Sequence, residues 1–272
     1  MRRLFLLSPC LLLLLCLSAP AQAACPRIVS QSPYVSRVLD WLGLGACIVG
    51  VSRYDSRDLP RTGGILDPDA EVIALLEPQL MITSDWTRDE VWQAAAPAGV
   101  RALRVGGFRS LAEVDTMLRQ IGESAGVADI DTRIAGYRAA RQAAAIRVAA
   151  HAARLDASER RILIVSACGA VPYSYGRRST LYELLTEAGF TVVEDHESLR
   201  HLKPGAPVTS IARLVQSRQP GRIIALINAR SPGCNAQLAA AGVPITAVDD
   251  DKFVHPGPGL VEALDILERS LP

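Results

Sequence analysis

Lysine is nearly missing from this sequence. Of its 29 basic residues only Lys203 and Lys252 are lysines, and the rest are arginines. Basic and acidic residues leave a net charge of only +1, so there is no excess of positive charge to bind nucleic acid. Aromatic residues make up just 5% of the chain, which makes the place of each one informative. None of the six cysteines forms a C-x-x-C, which argues against a redox pair or a structural zinc site. Catalytic signatures are also missing. "GVSRY" ends in Tyr54 where a nucleophile elbow needs glycine. "GLGACI" lacks the third glycine of a dinucleotide fingerprint and precedes a strand instead of following one. There is no P-loop and no H-E-x-x-H, and the carboxylates of the consecutive Asp249, Asp250 and Asp251 would not converge on one substrate. These absences weigh against an enzyme, with an α/β hydrolase or lyase as a minor alternative.

The chain opens with "MRRLFLLSPCLLLLLCLSAPAQAA": two arginines, a short apolar block and a small-x-small end at Ala21-Gln22-Ala23. This predicts a cleaved signal peptide over residues 1–23 and export to the periplasm. A membrane anchor is disfavoured because the block is short for a span. Lipidation of Cys25 is disfavoured because Gln22 stands where lipoprotein signals carry an aliphatic residue. Four cysteines then remain in an oxidising compartment: Cys25, Cys47, Cys168 and Cys234. Three pairings are possible. Cys25 and Cys47 each precede an apolar run, so if those runs are neighbouring parallel strands the two share an end and can join. Cys168 and Cys234 each follow a run and share the other end.

Apolar runs alternate with helical patterns. "RIVS" (27–30), "CIVGVS" (47–52), "QLMITS" (79–84) and "VRALRV" (100–105) read as strands with helices between them. A proline-free, Ala- and Arg-rich stretch from Asp129 to Leu155 reads as one helix of about 40 Å. Then "RILIVSA" (161–167) and "RIIALIN" (222–228) resume the alternation. Such βα order implies parallel sheets. The two halves echo each other, with Pro78 and Pro220 at the same point before a strand. The expected architecture is therefore α/β: an N-terminal lobe (24–128), a bridging helix (129–157) and a C-terminal lobe (158–272), with Rossmann-like parallel sheets.

Ligands of open parallel sheets bind beyond the carboxyl ends of the strands. The residues there are Ser32, Pro33 and Tyr34; Arg53 and Tyr54; Asp85, Trp86 and Arg88; Gly107 and Phe108; Tyr173, Tyr175, Arg177 and Arg178; Asn228 and Arg230; and Phe253 and His255. Aromatic rings and guanidinium groups dominate, which suits a large, flat or partly anionic ligand. A bare cation would need three or four converging His, Asp or Glu ligands, and of the four histidines only His255 follows a predicted strand.

Several strings in order, "RIVSQSPYVSRVLDWLGLGACIVGVSRYD", "LPRTGGILDPDAEVIALLEPQLMITSDW", "LYELLTEAGF" and "HPGPGLVEALDIL", resemble the class III periplasmic receptors for cobalamin and iron chelates, which serve ABC importers. The resemblance implies two α/β lobes joined by a rigid helix, a monomer without cofactor, and a ligand held between the lobes. It favours cobalamin or another corrinoid slightly, because Tyr54 and Trp86 match an aromatic pair of the cobalamin receptor, with a ferric siderophore or heme as the alternative. Tyr173 or Tyr175 matches an aromatic position of the second lobe. Family members dock to an inner-membrane permease through one acid on each lobe. Asp89 or Glu90 matches the first position. The second falls near Ala212, where there is no acid, so Glu194 or Glu197 would have to substitute.

Overall fold

Strands β1 (Ile28–Ser30) and β3 (Leu80–Ser84) are buried at every position, which is why they read as unbroken apolar runs instead of alternating ones. With β2 (Ile48–Val51) and β4 (Arg101–Val105) they form a four-stranded, all-parallel sheet in the order β2-β1-β3-β4. The computed structural model describes residues 25–167, 171–227, 238 and 241–272. The expected signal peptide, Cys168, Asn228, Arg230 and Cys234 lie outside them.

The second sheet contains β5 (Arg161–Ser166), β6 (Tyr173–Ser174), β7 (Thr191–Val192), β8 (Arg200–His201), β9 (Arg222–Ile227) and β10 (Ile245–Asp249). Its order is β10-β9-β5-β6-β8, with β7 also beside β5. The long strands β5, β9 and β10 are parallel, as the alternation predicts. Strand β6 runs antiparallel to β5 and β8. Two-residue strands carry no readable period, so this hairpin-like addition was not legible in the sequence.

Four helices start at side-chain caps. The side chains of Asp69, Ser110, Ser179 and Ser210 accept from backbone amides at the starts of α2 (Ala70–Leu75), α4 (Leu111–Ser124), α6 (Thr180–Glu187) and α7 (Ile211–Arg218), whereas α3 (Asp89–Ala95) starts at Arg88 without one. Pro33 stands in the first turn of α1 (Pro33–Trp41), where its missing N–H costs nothing. The half-chain echo extends to the backbone. Glu77 and Gln219, each before its proline, have φ of 45° and 48° and are the positive-φ residues other than glycine among the described ones.

The bridging helix α5 (Ile130–Ala152) has 23 residues, about 35 Å at 1.5 Å per residue. Its buried stripe falls at spacings of three and four: Ile130, Ile134, Tyr137, Arg141, Ala144, Val148 and Ala152. That stripe packs on α4, α6 and the closing helix Gly259–Ser270. One core cluster consequently runs unbroken from Ile28 and Ile82 through Ile134 and Val148 to Ile164 and Leu264. Alternate strand residues point to the far side of each sheet, where Val29, Met81 and Trp92 form one smaller cluster and Leu163, Val165 and Ile223 another. Cys25 and Cys47 are joined as a disulfide, with Cα atoms 5.8 Å apart. This is the pairing expected of cysteines preceding neighbouring parallel strands.

Candidate functional site

Strand order in the first sheet reverses between β1 and β3, with β2 added on one side and β4 on the other. Ligand crevices form at such a switch point, outside the carboxyl ends. The register sets those ends side by side: Ser30 lies opposite Val51 and Ile82, and Ser84 opposite Val105. Ser32, Tyr54, Trp86 and Phe108 therefore leave one edge of the sheet. The second sheet does the same with Ser166 opposite Leu226 and Ile227 opposite Asp249.

The lobes meet at this level through short polar bonds. The Thr180 amide donates to the Phe108 carbonyl at 2.9 Å, and its hydroxyl donates to the Gly107 carbonyl at 2.5 Å. The Leu111 amide donates to Glu183 Oε2 at 2.7 Å. Arg37 pairs with Asp251 at 2.5 Å and lies 3.1 Å from His255 Nδ1. Burial, with Arg37 alongside, holds the His255 imidazole below its usual pKa. A gap of about 30 Å³ is left between Phe108, Tyr175, Thr180 and Phe253, where the lobes pack against each other at the floor of the cleft.

Trp86 rises above that floor, 57% exposed. One face stacks on Phe108 with centroids 4.6 Å apart and planes 25° from parallel. Phe108 in turn meets the edge of Tyr34 at 5.2 Å. Tyr34 is buried and donates its hydroxyl to the Val105 carbonyl at 3.1 Å. Its phenol pKa is pushed far up by burial, then by the charges of Asp85 and Glu113. Tyr54 is 63% exposed. Across the cleft Tyr173 lies 5.4 Å from Tyr175 and 5.8 Å from His201. Tyr175 and Phe253 are buried and support the floor, and Ser32, at the N-cap of α1, is buried.

The charged residues divide into paired and unpaired. Arg53 is held by Asp67 at 2.5 Å. Arg88, Arg177 and Arg178 are exposed, and among the described residues their guanidinium groups have no partner. Asp89 is exposed and 3.6 Å from Arg104, and Glu90 is exposed. Glu194 is buried, bonded by Ser174 and by Arg200 at 3.0 Å, whereas Glu197 is on the surface.

Three residues at the cleft escaped the sequence reading. Leu66 is 69% exposed, on a linker tied beneath the Trp86 loop by Thr87 Oγ1 donating to the Ile65 carbonyl at 2.6 Å. Arg109 and Glu113 form a forked ion pair at 2.5 and 2.9 Å. The string "SLAE" (110–113) has the capping-box spacing that would have flagged Glu113. Here its carboxylate accepts instead from the Arg109 amide at 2.9 Å. Asp85 lies beside this pair, 3.7 Å from Arg109, with Oδ1 buried and without a hydrogen-bond partner among the described residues. Burial, then the Glu113 charge, raises the Asp85 pKa, while Arg109 holds that of Glu113 down against the opposing effect of its own burial.

No family model matches the sequence, and no curated protein matches it. Solved structures do match the fold. A periplasmic heme-binding protein from Pseudomonas aeruginosa superposes with a TM-score of 0.72 at 20% identity, covering 91% of this chain and 92% of that one. The periplasmic heme-binding protein RhuT from Roseiflexus sp. RS-1, in its apo form, gives 0.67 at 20% identity over 91% and 99%. The vitamin B12 binding protein BtuF of Vibrio cholerae gives 0.67 at 17% identity over 91% and 96%. Two α/β lobes joined by a long helix are thus the fold of the class III periplasmic solute-binding proteins, and this chain has that fold.

Proposed function

We propose that this chain is the substrate-binding component of an ABC importer: in the periplasm it captures a flat tetrapyrrole metal chelate between its lobes and delivers it to an inner-membrane permease. The observation that carries this reading is the ring of Trp86, one face on Phe108 and the rest open to the cleft at the switch point of the first sheet. A flat apolar macrocycle gains most from such a surface. The lobes are residues 24–128 and 158–272, joined by 129–157, and binding rather than catalysis is the role of the cleft.

Heme is the first choice of ligand. Arg88, Arg177 and Arg178 are exposed and unpaired among the described residues, which suits the carboxylate edge of a heme. Heme-binding neighbours support the same class. Cobalamin is the second choice, favoured by the Tyr54 and Trp86 pair and by the B12-binding neighbour. Asp89 and Glu90, exposed just beyond Trp86, are the proposed permease contacts of the first lobe. Glu197 suits the second, since Glu194 is buried beneath Arg200.

Titrating the purified protein with hemin, cyanocobalamin and a ferric siderophore, while following tryptophan fluorescence, tests this reading. Saturable quenching at micromolar hemin, with cyanocobalamin weaker and the siderophore silent, is expected. Quenching by the siderophore alone would move the ligand to another class, and no response to any of the three would end the proposal.

A further inference from the structure

The buried stripe of the bridging helix contains one charge. Arg141 is 9% exposed, yet its Nε and Nη1 have no hydrogen-bond partner among the described residues. The nearest carboxylate oxygen, Glu187 Oε2 on α6, is 3.6 Å from Nε, beyond hydrogen-bond range. The Tyr137 hydroxyl and Asp115 Oδ1 are likewise buried with no well-formed hydrogen bond among the described residues. Both belong to the same group, because the Arg141 guanidinium lies 5.6 Å over the Tyr137 ring and Arg141, Asp115 and Glu187 all act on the Tyr137 phenol. A buried guanidinium lacking an acceptor is costly.

A recess of about 410 Å³ opens onto this group, lined by Arg138, Arg141, Gln142, Ala145, Ile146 and Glu187. It lies where α5 meets α6, and none of the six leaves the carboxyl end of a strand, so it is separate from the cleft. Its charges set the ligand. Arg138 is bound to Asp115 at 2.6 Å, and Arg141 is offset by Glu187. With the local sum at zero, a single negative charge is accommodated better than two. Ile146, 63% exposed, and Ala145 supply an apolar wall. We propose that this recess binds a small monocarboxylate. Its carboxylate accepts from Arg141 and Gln142 in place of the poorly placed Glu187, and its short alkyl body lies on Ala145 and Ile146.

Calorimetric titration of the purified chain with butyrate, and separately with inorganic phosphate, tests the site. Saturable heat with butyrate and far weaker binding of phosphate are expected. Arg141→Met abolishes the butyrate heat. Glu187→Gln, which removes the competing carboxylate and leaves an amide, tightens butyrate several-fold, and this arm decides alone if Arg141→Met does not fold. Heats that do not saturate, or that are the same in wild type and Glu187→Gln, overturn the site by leaving Arg141 to water alone. Phosphate binding as tightly as butyrate overturns the monocarboxylate assignment. Hemin binding in the cleft is unaffected by any of these outcomes.

Discussion

Two tryptophans six residues apart show how position decides a role. Trp92 is fully buried on the far side of the first sheet, its indole donating to the Leu103 carbonyl at 3.1 Å, whereas Trp86 is 57% exposed at the cleft. The difference was legible in the sequence, because Trp86 follows an apolar strand and Trp92 sits within a helical pattern. The environment of Asp85 was not legible: Glu113, whose charge contributes to it, is supplied by a helix that only the fold brings near. A carboxyl with a raised folded pKa binds a proton more readily folded than unfolded. Its stability penalty is therefore absent below the ordinary Asp range of ~4 and grows as pH rises through the folded pKa. Asp85→Asn removes that penalty. Thermal denaturation should show the variant more stable than wild type at pH 7, with the gain shrinking towards pH 4, and a pH-independent difference would refute the electrostatic origin. Tyr34, Arg104, Arg109 and Glu113, the charged and titratable groups acting on or near Asp85, are unchanged by the substitution.

Elements were read more securely than residues. The bridging helix announced itself by length and by the lack of proline. Its buried stripe is mostly alanine and isolated large side chains, so its packing partners, α4, α6 and the closing helix, could not be named beforehand. The paired turns at Glu77-Pro78 and Gln219-Pro220 were visible only as two prolines, and their shared left-handed φ emerged with the fold. The two-residue strands β6 and β8 gave no signal, although they bring Tyr173 beside His201 at the cleft. Cys25 and Cys47 enclose a separation of 22 residues, for which loop-closure entropy gives roughly 3 kcal/mol. Reduction, or a Cys25→Ser and Cys47→Ser double variant, should lower the stability measured by denaturant unfolding by about that amount, and no change would show that the first strand is held by packing alone.

At the scale of the molecule, the lobes share more than a helix. One core cluster crosses from the first sheet to the second. Polar bonds at Thr180, Glu183 and Arg37 clasp the lobes at the cleft floor. Such a joint allows little hinge motion. Small-angle scattering should therefore give nearly the same radius of gyration with and without hemin, and a clear contraction on binding would show that the clasps open. We propose, more narrowly, that the open face of Trp86 holds the chelate. The most direct measurement is the hemin affinity of Trp86→Ala beside wild type, with both proteins shown to be equally folded. A loss on the order of tenfold or more is predicted, and an unchanged affinity would place the ligand elsewhere and contradict the account.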